Sequence, residues 1–278
     1  MNNNTQIDGT KLETLLRRDR IVVVASLALV TLLAWLYILR LAAAMDMGGM
    51  DMSGFRMISH GFTMIMAPAI APWTAAEFVL TFAMWTVMMI GMMTPSAAPM
   101  ILIYARAGRM AAAAGRPLAA TAWFVAGYLL MWTGFAFAAT AAQWLLAKFA
   151  LLNPMMASAS AIFGAAILFA AGLYQWTPLK DTCLSHCQSP LAFIQHHGGF
   201  RSNAGEALRL GVEHGLSCIG CCWALMLLLF VGGVMNVLWI AALTAVALLE
   251  KVLPARRLVS RLVGTVLLLA ALALLLFP

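Results

Sequence analysis

The fold class is decided by residues 21–39, which read IVVVASLALVTLLAWLYIL. As a helix rising about 1.5 Å per residue, this run spans the roughly 30 Å hydrocarbon core of a bilayer. Arg17, Arg18 and Arg20 precede it, as in a signal peptide. However, the run is long for a signal peptide, and Arg40 interrupts the side where cleavage would occur. We therefore expect an uncleaved anchor helix.

The composition extends the membrane assignment to the whole chain of 278 residues. Apolar residues make up 64% and charged residues 10%, against roughly 45–50% and 25% in soluble domains. The mean hydropathy is +0.93. These values exclude a soluble fold. The net charge of +7 comes from Lys and Arg between apolar runs, so it indicates membrane topology, and we expect no nucleic-acid partner.

Six further apolar runs predict an all-α membrane protein, a bundle of about seven transmembrane helices with the N-terminus in the cytoplasm. The runs are 75–104, 119–147, 157–176, 206–230, 234–249 and 258–277. This threading puts 14 of the 17 Lys and Arg residues inside. Since basic residues concentrate in cytoplasmic loops, we expect a multi-pass protein of a bacterial cytoplasmic membrane with the C-terminus outside. Run 234–249 is short and could instead pair with its predecessor as a hairpin of tilted helices.

The predicted organisation is a cytoplasmic tail, residues 1–20, and a transmembrane domain, residues 21–278. Two loops are long enough to carry function: an outer loop, 45–73, and an inner loop, 177–205. The outer loop contains two Met-Asp-Met units, with methionines at Met45, Met47, Met50 and Met52. In an oxidising compartment thioethers still hold Cu(I), so we expect metal capture here. The alternative is an interfacial segment in which methionine fills apolar space.

Methionines also line one face of the second helix, at positions that include Met88, Met89, Met92 and Met93. Methionine is a common core residue, so packing is the simpler interpretation and a metal pathway is the alternative. The inner loop carries Cys183, His186 and Cys187, followed by His196 and His197. Thiols stay reduced in the cytoplasm, and this spacing could close on one ion, including zinc. An inert loop is the alternative.

The fifth helix is the richest in potential ligands, with Glu213, His214, Cys218, Cys221 and Cys222 within ten residues. At about 100° per residue, His214, Cys218 and Cys221 share one face. An ionisable residue within a membrane helix usually meets a partner, a cavity or an ion. We therefore predict a metal site here, although any one of these cysteines alone could be a small apolar core residue.

Two segments resemble the signature blocks of a known bacterial family. They are WTVMMIGMMTPSAAP, residues 85–99, and GLSCIGCCWALM, residues 215–226, and the stretch from Gly233 to Lys251 is also similar. The family comprises predicted metal-binding integral membrane proteins, domain of unknown function family 2182. The resemblance covers about residues 81–254. It implies a bound metal but gives neither the ion nor the activity.

The leading hypothesis is a protein that binds a soft metal, Cu(I) before zinc, for transport or delivery across the membrane. Thioethers outside and thiols inside would form a chain of increasingly strong ligands. The main alternative is a thiol-disulfide oxidoreductase using Cys218 with Cys221 and Cys183 with Cys187. A haem or catalytic metalloprotein using His60 and His214 is a third. We expect a transporter or metal-handling protein before an enzyme, with the bilayer, a metallochaperone or metalloenzyme, and a second copy of the chain as candidate partners.

Overall fold

A computed structural model describes the backbone of residues 4–45, 55–60, 63–68, 72–115, 118–153, 156–253 and 256–277. Side chains are described for residues 21–44 and, within the same ranges, from residue 72 onward, apart from Ala113 and Arg256.

These residues form helices and one two-stranded hairpin. The helices are α1 Asn4–Met45, α2 Ala75–Ala113, α3 Thr121–Lys148, α4 Ala161–Tyr174, α5 Pro178–Gln188, α6 Pro190–His196, α7 Ala204–Leu227, α8 Leu229–Gly232, α9 Val237–Val252 and α10 Arg256–Leu276. The strands are β1 Phe55–His60 and β2 Thr63–Pro68. The predicted helical class is confirmed, because each of the seven apolar runs is helical over most of its length. The long apolar helices fit a membrane protein.

The predicted number of seven spans is not confirmed. Five helices of the described residues are long and apolar enough to cross a membrane: α1, α2, α3, α7 with α8, and α10. The 14 residues of α4 reach only about 21 Å, and the 16 residues of α9 about 24 Å. A sixth span results if α4 and α5 count as one, although they are bent by 67° where they meet.

The inner segment predicted as a loop is largely helical. The Thr177 side chain caps α5 by accepting a hydrogen bond from the Lys180 amide, and Pro178 occupies the first turn, where a missing N–H costs nothing. Pro190 begins α6 in the same way. These signals explain why a polar sequence forms helix here, and α5 packs against α7.

The outer segment contains the hairpin. Its strands are antiparallel, with Phe55 opposite Pro68 and His60 opposite Thr63. This hairpin is an exception to the all-α expectation. The Met-Asp-Met units lie before it: Met45 ends α1 without a described side chain, and Met47, Met50 and Met52 lie outside the described residues.

Two glycines set the contact between α3 and α7. A Cβ on Gly127 would clash with the backbone of Leu208, and a Cβ on Gly211 would clash with the backbone of Phe124. The helices can therefore approach this closely only because both positions lack side chains. The close approach brings the side chain of Tyr128 onto the cysteine-bearing face of α7.

Candidate metal centre

The three cysteines of α7 are buried in the bundle. Cys218, Cys221 and Cys222 are each at most 2% exposed. The Sγ atoms of Cys221 and Cys222 lie 3.1 and 3.0 Å from the carbonyl oxygen of Cys218 and donate to it. These contacts hold both thiols close to the helix that carries them.

The inner-segment cysteines join the same cluster. The Sγ of Cys187, on α5, lies 4.0 Å from the Sγ of Cys221. Cys183, one turn earlier, packs against Gly220, where an added Cβ would lie 2.7 Å from the Cys183 sulfur. The sequence separates these cysteines into two sets, whereas the structure gathers all five around one stretch of α7, which we call the thiol cluster.

A lysine ammonium faces the cluster from a third helix. The Nζ of Lys251, on α9, donates to the Sγ of Cys218 at 3.0 Å and to the Oγ of Ser96 at 2.9 Å. A thiolate is the form of cysteine that binds metals. An adjacent ammonium stabilises negative charge on that sulfur.

Tyr128 completes the surroundings of Cys218. Its hydroxyl lies 3.2 Å from the Cys218 sulfur and 3.0 Å from the carbonyl oxygen of Met93. The thioether of Met93 lies 4.0 Å from the Cys222 thiol. Met93, one of the methionines on the predicted face of α2, thus contacts a thiol, and Met88, Met89 and Met92 are fully buried in the core.

His214 lies one turn before Cys218 and is 2% exposed. Its ring sits among the rings of Phe124, Tyr128 and Phe193, with centroids 5.3–5.8 Å away. Among the described residues, nothing forms a hydrogen bond with its Nδ1. His214 therefore keeps a free ring nitrogen inside an aromatic enclosure beside the thiol cluster.

Two other predicted site residues point elsewhere. Glu213 accepts a hydrogen bond at 3.0 Å from Arg209, four residues earlier on the exposed side of α7. The ring of His186 lies 6.3 Å from those of His196 and His197, and none of the ring contacts described for it is with a cysteine.

The donor atoms of the cluster fit a soft ion of low coordination number. Among the residues that the structure describes, no three side chains of His, Cys, Asp or Glu are arranged as a metal site. Two thiols do face each other: sulfurs each roughly 2.3 Å from one ion lie at most about 4.6 Å apart, and Cys187 and Cys221 are 4.0 Å apart. Such a pair suits an ion that needs few ligands better than zinc, which takes four.

Sequence reasoning missed several side chains around this centre. Tyr128 looks like any buried aromatic residue. Lys180 and Lys251 count as cytoplasmic loop charges in the sequence, yet both are buried. The usable signal is a charged pair at the end of an apolar run, as in Glu250 and Lys251, because such residues need partners when the run packs.

A known protein family matches most of the chain. The family described as PpoB2, copper chaperone, matches residues 82–274, which include α7, α9 and most of α2. No curated protein and no solved structure matches the chain. The match supports a copper-related family and lends no support to the thiol-disulfide hypothesis. It does not show the family of unknown function, domain family 2182, so that likeness stays a resemblance. On the extent of this match, the chain belongs to the PpoB2 copper chaperone family.

Proposed function

We propose that this protein binds Cu(I) as its cargo at the thiol cluster and delivers it to a protein partner. The observation that carries the proposal is the 4.0 Å separation between the sulfurs of Cys187 and Cys221. These cysteines come from different helices, so a bound ion would join α5 to α7. Cys218 and Cys222 lie beside them as further thiol donors.

The choice of Cu(I) rests on ligand chemistry together with the family. Thiolate and thioether sulfurs are soft donors, and Cu(I) is stable with two or three of them. Met93 supplies a thioether next to Cys222, and His214 supplies a nearby imidazole. Zinc is the competing ion and would need more ligands than this pair offers.

The route that we propose runs between the outer methionine segment and the cytoplasmic side. Met45, Met47, Met50 and Met52 would capture copper outside, and the thiol cluster would hold it within the bundle. Because all five cysteines form one cluster, the route has one thiol site instead of the two that the sequence suggests. The proposed setting is the cytoplasmic membrane of a bacterium, and the recipient is a metallochaperone or a metalloenzyme.

Metal analysis of anaerobically purified protein tests the proposal. We expect copper in a near-stoichiometric amount, silent in electron paramagnetic resonance as Cu(I) must be. Replacing Cys218 and Cys221 together by serine should remove it, because hydroxyl oxygen is a poor ligand for a soft ion.

Glu213→Gln is the matched control, since this residue lies on α7 but points away from the thiols. It should retain copper. Zinc in place of copper would refute the choice of ion. Metal-free wild-type protein with a reversible Cys218–Cys221 disulfide would refute metal binding and favour thiol exchange.

A further inference from the structure

The position of α5 determines whether Cys187 can reach α7. Helix α5 bends away from α4 and ends at Gln188, next to Cys187. Its docking therefore depends on contacts with other helices. Two of these contacts are made to the end of α9, through Lys180 and through Gln188.

The Lys180 contact is a buried ion pair. Its Nζ lies 2.8 and 2.7 Å from the two carboxylate oxygens of Glu250, and Ser260 donates to the same carboxylate at 3.1 Å. Both charged side chains are at most 1% exposed. The ion pairs Arg201–Glu206, Arg209–Glu213 and Arg257–Asp181 are instead partly open to solvent on both sides.

A buried ion pair is a weak source of net stability, because desolvation of the charges offsets much of their attraction. It disfavours other arrangements, however, since a docking of α5 that kept Lys180 and Glu250 buried but apart would leave each charge without its partner. The Gln188 amide adds a second tie, donating to the carbonyls of Glu250 and Leu253 at 2.6 and 2.9 Å.

The spacing along α5 links this ion pair to the cysteine. Lys180 and Cys187 are seven residues apart, close to two turns of about 3.6 residues, so they share one face of the helix. Leu184 lies on that face between them and is fully buried. Rotation or withdrawal of α5 that breaks the ion pair would therefore also turn Cys187 away from Cys221.

We propose that the Lys180–Glu250 ion pair positions α5 so that the Cys187 thiol faces the Cys221 thiol. Lys180 and Glu250 are then positioning residues, which act on the metal centre through the placement of a helix. The inference rests on the proposed function in one respect: metal binding is the role that it gives to the facing thiols.

Crosslinking in the absence of metal tests this placement. In the full chain retaining only Cys187 and Cys221, a short bifunctional thiol reagent should join the two residues rapidly. The neutral double variant Lys180→Met with Glu250→Gln keeps side chains of similar length and leaves no unpaired charge. In this variant we expect docked α5 to fall to about a tenth of the molecules. The crosslinking rate should then fall about tenfold. The reversed pair, Lys180→Glu with Glu250→Lys, should recover most of the rate.

Asp181→Asn is the matched control. Asp181 is the next residue on α5 and pairs with Arg257 at 3.2 Å, but this pair is partly open to solvent and should contribute little to docking. Each variant is compared only if it elutes from a sizing column in detergent as the parent protein does. If the neutral pair does not elute in this way, Lys180→Gln with Glu250→Gln takes its place, because it also removes both charges but keeps two polar side chains.

Three outcomes would overturn the inference: an unchanged rate in the neutral variant, no recovery in the reversed one, or an equal fall in the control. Because the assay contains no copper, a failure of copper binding would leave its result unaffected.

Discussion

The hydroxyl of Tyr128 joins two parts of the candidate centre, since it lies near both the Cys218 sulfur and the Met93 carbonyl. Tyr128→Phe removes these contacts and leaves the ring in place. We expect a loss of about 0.5–1.5 kcal/mol in stability, typical of one buried hydrogen bond, and weaker copper binding because Cys218 loses a partner. Thermal unfolding in detergent and competition with a Cu(I) chelator measure the two effects.

Tyr104→Phe is the control, because it makes the same chemical change in another buried tyrosine. Tyr104 stacks on Phe124 at 5.1 Å and lies 5.7 Å from the ring of Phe200, and none of the contacts described for it is with a cysteine. Copper affinity should not change in this variant. Equal weakening in both variants would mean that Tyr128 has no specific relation to the centre.

The sequence predicts residues of the candidate site where their side chains are chemically unusual for a membrane helix. Cys218, Cys221 and His214 share a helical face, as their spacing predicts, and all three are buried. Glu213 was expected at the same site but pairs with Arg209 instead. A carboxylate at the flank of a helix can meet its own neighbour four residues away, and spacing alone does not distinguish this from a role at the site.

The crossing of α3 and α7 gives a prediction for whole elements. Gly127→Ala puts a Cβ against the backbone of Leu208, which cannot rotate away as a side chain would. The helices must separate, and we expect a loss of about 1–3 kcal/mol or more, as for overpacked cores. Thermal unfolding measures the loss, and copper affinity should fall with it because Tyr128 moves away from Cys218.

Gly134→Ala is the control on the same helix, since among the described residues an added Cβ there would meet no atom of another helix within 4 Å. The substitution favours helix by up to about 1 kcal/mol, so it should be neutral or stabilising. If both alanine variants behaved alike, close packing at Gly127 would not be the reason for glycine.

At the scale of elements, the sequence shows glycines along α7, which allow close helix packing, but not which helix each glycine contacts. Gly211 and Gly215 face α3, as a face for close helix packing should. Gly220 faces Cys183 on α5 instead. Polar residues of α5 such as Thr182 and Ser185 are typical of a loop, and its docking depends on the distant Glu250, which no local pattern encodes.

For the whole molecule, hydropathy predicts which segments are apolar helices but not how far each one reaches. Helices α4 and α9 are shorter than the hydrocarbon core of a bilayer. Each ends at buried polar residues: Gln175 after α4, and Glu250 with Lys251 in α9. Lys180 and Lys251 are buried, so neither one reports which side of the membrane it lies on. Without them, 12 of the 15 remaining basic residues still lie on the predicted inner side, and the predicted orientation keeps its basis.

Labelling of single cysteines in intact cells tests that orientation. In a chain with the five native cysteines replaced by serine, Gln195→Cys puts a thiol on the exposed side of α6. Phe149→Cys puts one after α3, at a position 64% exposed. Since the inner segment is predicted to be cytoplasmic, an impermeant thiol reagent should label position 149 in intact cells and position 195 only after permeabilisation. Labelling of position 195 from outside would reverse the orientation, and the proposed route from an outer methionine segment would have to be withdrawn.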